Sequence, residues 1–598
     1  MSVETPGHAE AARARFAEAL ALHKSKRLAE ALARVDQGLA LAPNDPGALT
    51  HRGAILIDLG DLEAALVSLA RVVALAPGNA SALCNRAAVL NLLARYDAAQ
   101  ASAEAALAVH PDHPDALYHL GNTYKLSGRA EEAAATYQRA FALKPQKPYL
   151  RGLLLNARMQ ICAWEGFDAE LAPLQAAVQR GEPAVQPFAL LSLTDDPAQQ
   201  RLAAEIWTTD RVGTAPVKIA AHPKHERLRV GYFSGDFHQH PVATLIAGVF
   251  EAHDRTRFET TAFSFGPTTG DDMQRRLVRA FDRFLDVRAS ADAAIIETAR
   301  TLGIDVAVDL SGHTTDARHG VFAGRAAPVQ TSYLGYPGTL GSPHIDYVIA
   351  DNVVIPEDAR VHYGEKIIAL PCFQPNDPAR AIAPQTPSRT AAGLPEDAFV
   401  FCCFNNPTKF TPATFAGWMR ILAAVSNGVL WFSGVSPTGQ HNLRAAAARA
   451  GIAPERLIFA PRVASGADHL ARQRCADLFL DTFPFNAHTT ASDALWAGLP
   501  VLTCAGRSYA ARVAASLLQA LGLPELVAQT PEAYEGMAIA LARGPAHLKA
   551  LRAKLARARE ASVLFDVKAL TRSLEKAFLE ADARHRRGLA PEHIVITP

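Results

Sequence analysis

Apolar residues recur at helical spacing through the first quarter of the chain, in blocks that repeat every 34 residues. Each block holds two helical patterns, and the blocks are 12–45, 46–79, 80–113 and 114–147. The period is marked by Pro43, Pro77, Pro111 and Pro145, and by Ala31, Ala65, Ala99 and Ala133. One helical pair cannot bury its apolar face alone, so the pattern predicts a solenoid over 1–147 whose concave surface suits an extended polypeptide. A purely supporting or dimerising role is the alternative.

The hydrophobic pattern changes twice after the repeats. Residues 148–225 predict a helical connector, and the boundary stretch 215–224 contains Pro216 and Pro223. From residue 226, short apolar runs alternate with helical patterns, which is typical of α/β domains. We predict one such domain over 226–385 and a second, nucleotide-binding domain with C-terminal helices over 386–598. The predicted strands lie in LRVGYFS, IDVAVDLSGHT, VQTSYLG, DYVIAD, FVFCCFNN, GVLWFSG, RLIFAP, DLFLDTF and PVLTC.

The stretch DTFPFNAHTTASDALWAG, residues 481–498, predicts the end of a strand, a polar elbow and a helix. His488, Thr489 and Thr490 open the helix, where free backbone N–H groups and the positive end of the dipole suit a phosphate or diphosphate. Asp493 follows about one turn later, where a carboxylate could hold sugar hydroxyls. An ordinary strand-to-helix connection capped by threonine is the alternative.

Other polar clusters follow predicted strands, where ligands of α/β sheets bind. In GDFHQHP, His240 precedes Pro241, so a neutral imidazole at a helix start could act as a general base or as a helix cap. SGHTTDARHG contains His313, and LGYPGT contains Gly335, Pro337 and Gly338, which suit either close approach to a ligand or a tight turn.

A lysine in FNNPTKFTP gives the second domain a candidate anion ligand. Lys409 stands just before an apparent helix start at Thr411 and Pro412, and a cation there opposes the helix dipole. A bound anion would resolve that conflict, although a solvated surface lysine is the alternative. Together with His488, Lys409 would clamp a diphosphate leaving group from two sides.

Composition narrows the function classes. The chain has 598 residues, a hydrophobic fraction of 49% and a net charge of +1, so we expect several soluble domains and neither nucleic-acid nor membrane binding. The N-terminus lacks a signal-peptide core, and seven scattered cysteines favour a reducing cytoplasm. No Asp-x-Asp triplet and no Gly-x-x-x-x-Gly-Lys loop occurs, so we expect no metal site and no NTPase.

The repeats resemble tetratricopeptide repeats. With GDFHQHP, LSGHT, APVQTSYLGYPGT, CCFNNPTKFTP and LDTFPFNAHTTASDALWAGLPVLT, nearly the whole chain resembles the O-linked N-acetylglucosamine transferase family and its bacterial homologues. The resemblance implies an α-helical solenoid followed by a GT-B glycosyltransferase of two Rossmann-like α/β domains. It also implies an inverting, metal-independent protein O-glycosyltransferase that uses UDP-N-acetylglucosamine (UDP-GlcNAc) on Ser or Thr hydroxyls, with no cofactor beyond this co-substrate.

The same resemblance implies roles for individual residues. His240 would lie near the acceptor hydroxyl as a candidate base, and Lys409 would neutralise the diphosphate beside Asn406. His488, Thr489 and Thr490 match the diphosphate elbow, and Asp493 matches the ribose carboxylate. His469 and Arg472 fall where the nucleoside is held, and residues 335–338 fall on the sugar side.

Three alternatives stay open at this point, and the first is transfer of N-acetylglucosamine from UDP-GlcNAc. Plant relatives that transfer fucose from GDP-fucose share several of these segments, although His488 and Asp493 favour N-acetylglucosamine. Gly466 departs from the human-type enzyme, which has a lysine there, and the array of four repeats is short. The third alternative is a repeat scaffold with an inactive transferase domain. We expect polypeptide acceptors to bind the repeat groove, and a homodimer is a further expectation.

Overall fold

The computed structural model describes residues 6–25, 27–215, 217, 219, 223–463 and 465–597. Pro216, part of the predicted boundary stretch, and the first five residues lie outside this range. The chain forms two compact units. The first runs to Ala157 and includes Val287–Glu297, and the second comprises the rest of the chain from Arg158. None of the helices in the described part of the chain is long and apolar enough to cross a membrane.

The first unit is a stack of helical pairs. Its helices are α1 (Pro6–Lys24), α2 (Leu28–Leu41), α3 (Pro46–Asp58), α4 (Leu62–Leu75), α5 (Ala80–Leu92), α6 (Tyr96–Val109), α7 (Pro114–Leu126) and α8 (Ala130–Leu143). The alanines that mark the period are all buried where helices meet, because only a small side chain fits there. A Cβ on Gly121 would lie 2.6 Å from the Tyr137 ring, so this glycine also permits close helix packing. The predicted 34-residue repeat is therefore present.

The connector region contains four helices between residues 150 and 212. They are α9 (Leu150–Gln160), α10 (Phe167–Gln179), α11 (Pro187–Leu190) and α12 (Pro197–Val212). Asp196 caps α12 by accepting a hydrogen bond from the Ala198 N–H at 3.0 Å. The helical character predicted for this region is thus observed, while its outer limits at 148 and 225 stay predictions.

The first sheet has eight parallel strands. The chain forms β1 (Leu228–Ser234), α13 (Pro241–Ala252), β2 (Phe258–Ser264), α14 (Asp272–Ala280), β3 (Arg283–Asp286), α15 (Asp292–Thr301), β4 (Val306–Asp309), α16 (His319–Ala323), β5 (Val329–Ser332), β6 (Tyr347–Asp351) and β7 (Lys366–Leu370). Nearly every residue of β1, β2, β4, β5 and β6 is buried, as expected for strands covered on both faces.

The second sheet has six parallel strands. Its elements are β8 (Phe399–Cys403), α17 (Pro412–Ala424), β9 (Gly428–Ser433), α18 (Pro437–Arg449), β10 (Leu457–Ala460), α19 (Gly466–Arg472), β11 (Leu478–Leu480), α20 (Thr489–Ala497), β12 (Val501–Cys504), α21 (Val513–Ala520), β13 (Val527–Ala528), α22 (Pro531–Arg543) and α23 (Pro545–Ala561). Its strand order is β10-β9-β8-β11-β12-β13, so β8 and β11 lie side by side at its centre. Residues that follow these two strands therefore emerge next to each other.

The end of the chain returns to the first sheet. Helix α24 (Val567–Arg586) is followed by β14 (Ile594–Val595), which pairs with β7, so the first sheet has the order β14-β7-β6-β5-β4-β1-β2-β3. Leu574 and Phe578 of α24 are buried in the same core as Tyr232. The limits predicted for the second α/β domain, 386–598, therefore stay a prediction, while the last helix and strand of that range pack on the first sheet.

Candidate functional site

The elbow between β11 and α20 is organised around the carboxylate of Asp481. Oδ1 accepts hydrogen bonds from the backbone N–H of Thr482 at 2.7 Å and of Ala487 at 2.6 Å. Oδ2 accepts the Thr503 hydroxyl at 2.6 Å. Burial raises the pKa of Asp481 to about 6, so these donors are what stabilise its charge. One buried side chain thus fixes both ends of the loop that precedes the helix.

The first turn of α20 is partly exposed and has no side-chain cap at its N-terminus. His488 is the residue before its first turn and gives no side-chain cap to the helix, so the first N–H groups are not capped from that position. The Thr490 hydroxyl donates a hydrogen bond to the side-chain carbonyl of Asn405. Asn405 itself is buried and donates to the Thr482 hydroxyl at 2.8 Å. The end of β8 therefore braces the start of α20, and Thr489 and Thr490 form its half-buried first turn.

Lys409 lies against this elbow. Its Nζ donates to the carbonyl oxygen of Asn486 at 2.7 Å and lies 3.7 Å from the centre of the Phe485 ring. Burial lowers the pKa of Lys409 to about 8, because the ammonium has lost much of its hydration. An ammonium in this position gains charge stabilisation when an anion binds beside it.

His488 and Lys409 both contact the ring of Phe485. The His488 and Phe485 ring centres are 5.0 Å apart, and His488 Nε2 lies 3.5 Å from the carbonyl oxygen of Ala510. Burial, with the nearby positive charge of Lys409, holds the pKa of His488 well below its usual range. The imidazole is therefore neutral, and it can serve as a hydrogen-bonding group rather than as a cation. Phe485 was not among the residues predicted for the site.

Asp493 forms an ion pair that the sequence did not predict. Its Oδ1 lies 2.6 Å from Nη1 of Arg380, whose side chain is almost fully buried. Burial raises the pKa of Asp493 to about 6 in spite of this partner. The Trp496 indole donates to the Arg380 carbonyl oxygen at 2.9 Å, and the Gln374 amide donates to the Ser492 hydroxyl. The segment after β7 therefore holds α20 along its length.

His469 and Arg472 come together beside Phe404, just beyond β8. Arg472 Nη2 lies 2.8 Å from His469 Nδ1, and its Nη1 donates to the Pro461 carbonyl oxygen at 2.7 Å. The His469 and Phe404 ring centres are 5.6 Å apart. Arg472 is buried, whereas His469 is partly exposed, so His469 is the better placed of the two to touch a ligand. Burial lowers the pKa of His469 to about 4.

Asn406 is exposed at the start of a single 3-10 turn, and its side chain accepts the Thr408 N–H at 3.0 Å. It lies three residues before Lys409 in the loop after β8. Its neighbour Asn405 makes the buried contacts to the elbow. Asn405 therefore stabilises the loop, whereas Asn406 is exposed.

In the first α/β domain, His240 lies in the loop between β1 and α13 and caps α13. Its Nδ1 accepts the Val242 N–H at 3.3 Å and lies 3.5 Å from Oδ2 of Asp236. Burial lowers the pKa of His240 to about 4, and burial together with the charge of Asp316 raises the pKa of Asp236 to about 7. A neutral His240 whose Nδ1 accepts the cap bond carries its hydrogen on Nε2. Helix α13 also contacts α20, so this loop belongs to the same region as the elbow.

His313 and the glycine loop pack on each other. The His313 Nε2 lies 2.9 Å from the Leu340 carbonyl oxygen, and its ring centre is 4.9 Å from that of Tyr336. A Cβ on Gly335 would lie 1.9 Å from the Leu310 carbonyl oxygen, so only glycine fits there. Pro337 and Gly338 are buried. This loop therefore has a structural reason for its glycines, and Gly335 is its half-buried member.

A carboxylate from the connector also reaches the site. Asp195 accepts the backbone N–H of Arg507 at 2.8 Å and of Ser508 at 2.9 Å. A Cβ on Gly506 would lie 2.5 Å from an Asp195 oxygen, so the approach requires glycine. The same loop provides the Ala510 carbonyl, which accepts the Asn486 N–H at 3.0 Å. No sequence signal identified Asp195, because its partners are 312 and 313 positions away.

The arrangement combines one ammonium, an uncapped helix N-terminus and neutral imidazoles at the carboxyl ends of parallel strands. Such a set stabilises negative charge on a phosphate group without further charged residues. Two carboxylates, the buried Asp481 and the partly buried Asp493, hold the backbone and the helix that form it.

The pair of Arg380 with Asp493 allows a test of how the site is held together. We expect Arg380→Met to lower the free energy of unfolding by about 3 kcal/mol, because it leaves the partly buried Asp493 carboxylate without its charged partner. Arg420→Met is the matched control, since the Arg420 side chain is 61% exposed in its pair with Glu535 and should contribute less than about 1 kcal/mol. Urea unfolding followed by tryptophan fluorescence measures both. Equal losses would contradict the role given to Arg380.

The chain matches a family of glycosyltransferases over most of the second unit. The match to Glycosyl transferase family 41 covers residues 211–374 and 378–574. A match to the tetratricopeptide repeat covers residues 16–80 and 93–148. The predicted fold class, a tetratricopeptide solenoid followed by two Rossmann-like domains of the GT-B type, is confirmed by these matches with the two parallel sheets.

Relatives agree with this assignment. The chain is 33% identical, over 74% of its length, to the probable UDP-N-acetylglucosamine–peptide N-acetylglucosaminyltransferase SEC of Arabidopsis thaliana, of which it covers 48%. It is 27% identical to the UDP-N-acetylglucosamine–peptide N-acetylglucosaminyltransferase of Caenorhabditis elegans, over 73% of this chain and 49% of that protein. The chain thus spans about half the length of these curated relatives.

A solved structure is similar over nearly the whole chain. A mutant of the Thermobaculum terrenum O-GlcNAc transferase superposes with a TM-score of 0.69 at 30% identity, covering 91% of this chain and 98% of that one. The family match, the repeats and this likeness agree with the resemblance given by the sequence motifs. The chain therefore belongs to glycosyl transferase family 41.

Proposed function

We propose that this protein transfers N-acetylglucosamine from UDP-GlcNAc to Ser or Thr hydroxyls of proteins, with inversion and without a metal ion. The observation that carries the proposal is the position of Lys409, whose ammonium is bonded to the elbow carbonyl at 2.7 Å beside the uncapped start of α20. The acceptor oxygen forms a bond to the anomeric carbon as the bond from that carbon to the diphosphate breaks. UDP then leaves with the electron pair of the broken bond, and the acceptor hydroxyl gives its proton to a base of the loop that holds His240 and Asp236.

The departing diphosphate gains negative charge, and the site stabilises that charge. Lys409 and the N–H groups of Thr489 and Thr490 face that charge in a partly buried setting, where electrostatic stabilisation is stronger than in water. The elbow is fixed in advance by Asp481, so little reorganisation accompanies the reaction. This pre-organised set supports a mechanism that needs no bridging metal ion.

The nucleoside would lie toward His469 and Asp493. Arg472 fixes the ring of His469, whose Nδ1 faces the guanidinium, so that Nε2 carries the hydrogen toward the base. Asp493 keeps one oxygen on Arg380, which leaves its second oxygen for the ribose hydroxyls. Asn406 is exposed beside Lys409 and would contact the phosphate side of the donor.

The acceptor hydroxyl would lie near His240. Because Nδ1 accepts the helix cap bond, the Nε2–H group is the one that can hydrogen-bond the incoming oxygen. Accepting the proton instead would require the ring to give up that cap. Asp236, with a pKa of about 7, is a second proton acceptor in the same loop. His313 and residues 335–338 would support the sugar side of the site.

The proposal also covers where acceptor polypeptides bind and in which cellular compartment the protein works. The concave surface of the repeats would bind acceptor polypeptides, as stacked helical pairs commonly do, and a homodimer through the repeats is compatible with this role. The seven cysteines are all free and buried, which supports the reducing cytoplasm as the compartment.

A donor screen tests the function directly. We expect UDP and UDP-GlcNAc to raise the melting temperature of the full chain, because a ligand that binds the folded state stabilises it by mass action. GDP and GDP-fucose at equal concentrations should have no such effect. If the guanosine compounds raise the melting temperature instead, the donor is GDP-fucose rather than UDP-GlcNAc. If none of the four compounds raises it, the result favours an inactive scaffold.

Replacing Lys409 tests the leaving-group site. We expect Lys409→Met to reduce transfer of radiolabelled N-acetylglucosamine to an acceptor protein by at least roughly 10²-fold, the effect of removing one transition-state charge donor. Lys549→Met, which changes an exposed lysine of α23, is the matched control and should retain normal turnover. Near-normal activity of Lys409→Met, with an unchanged circular dichroism spectrum, would reject the role of Lys409.

The pKa of about 8 for Lys409 gives a pH test. The ammonium form decreases as pH rises through this value, and if UDP binds only that form its Kd should rise roughly tenfold between pH 7 and 9. Titration calorimetry at each pH measures the constant. Lys409→Met has no titrating amine, so its weaker binding should be flat over this interval. Parallel slopes in the two proteins would assign the titration to another group.

A further inference from the structure

One large aromatic side chain near the elbow is exposed, although residues next to it in the chain are buried. Phe188, on the short helix α11 of the connector, is 42% exposed. Its ring centre lies 5.8 Å from that of Phe485 in the elbow and 6.4 Å from that of Tyr336 in the 335–338 loop. Phe188 therefore touches one ring from each of the two α/β domains.

The segment that carries Phe188 is held firmly. Leu190 and Leu191 follow it and are fully buried. Asp195 ties the segment to the backbone of Arg507 and Ser508, as described above. The exposed ring is consequently fixed in place, and its exposure is a property of the folded connector.

The two neighbours of Phe188 locate it relative to the donor. Phe485 carries the Lys409 ammonium 3.7 Å from its ring centre, so that side is next to the diphosphate. Tyr336 belongs to the loop proposed for the sugar side. A donor sugar is bonded directly to the second phosphate, so its ring must lie adjacent to the diphosphate position. The nucleoside residues are grouped around a different ring, Phe404.

We propose that Phe188 forms one wall of the subsite for the donor pyranose, packing its ring against the C–H face of the sugar. This rests on the proposed function, because it takes the diphosphate position from Lys409 and α20. Aromatic side chains are common in the lining of ligand sites, where they supply contact area at low entropic cost. The connector thus provides a specificity residue from outside both α/β domains.

Comparing two ligands tests this assignment. We expect Phe188→Ala to leave the Kd for UDP within about twofold of the unsubstituted protein, and to raise the Kd for UDP-GlcNAc roughly three- to tenfold, the range of one aromatic contact. Phe188→Tyr should restore the preference. Val67→Ala is the control, since Val67 is 71% exposed and lies on α4 of the repeats. Titration calorimetry with the full chain measures all four proteins.

The outcomes separate this proposal from the function on which it rests. Equal changes for UDP and UDP-GlcNAc, or no change for either, would overturn the role of Phe188 while leaving the transferase intact. A rise in the KM for acceptor protein alone would move Phe188 to the acceptor side and also overturn it. If the unsubstituted protein binds neither ligand, the proposed function itself fails.

Discussion

The hydrogen bonds of the Asp481 carboxylate are the constraint on which the site depends. A single buried side chain holds the N–H groups of Thr482 and Ala487, which are the two ends of the elbow, and the hydroxyl of Thr503 on the neighbouring strand. Because burial raises its pKa to about 6, the carboxylate is stable as an anion only while those donors stay in place. The loop and the charge therefore stabilise each other, and the N-terminus of α20 receives a fixed direction.

That constraint reaches outward through successive contacts. Residue 486 of the elbow donates its N–H to Ala510 and accepts Lys409, so the ammonium and the loop tied to Asp195 meet at one residue. On the other side, Arg380 and Gln374 attach the segment after β7 to α20. Helix α20 and the elbow before it are thus held by contacts from the connector, from the segment after β7 and from the second sheet. These hydrogen bonds and ion pairs explain how the short elbow keeps a fixed position.

The sequence predicted the parts of this architecture that are local or periodic. All nine predicted strands are present, and Lys409 contacts the elbow, while the anion-binding role predicted for it stays a proposal. Strand β2 was missed because Glu259, Thr260 and Thr261 interrupt its apolar run, although Glu259 and Thr260 have paired polar groups. Strand β14 has two residues and no pattern to detect. Arg380 escaped prediction because its partner is 113 positions away, and such a contact depends on the completed fold.

The electrostatic character of the site follows from which groups can be charged. Burial lowers the pKa of His240 and of His469 to about 4 and holds that of His488 well below its usual range, so these imidazoles are neutral near pH 7. The positive charge at the elbow then comes from Lys409 and from the helix terminus. Under the proposed function, that charge would hold the diphosphate, the Asp493 carboxylate would hold the ribose, and the base and the sugar would meet neutral hydrogen-bonding groups and aromatic rings. Such a division favours discrimination among nucleoside diphosphate sugars, because every one of them carries the same diphosphate and the differing parts meet groups that act only at short range.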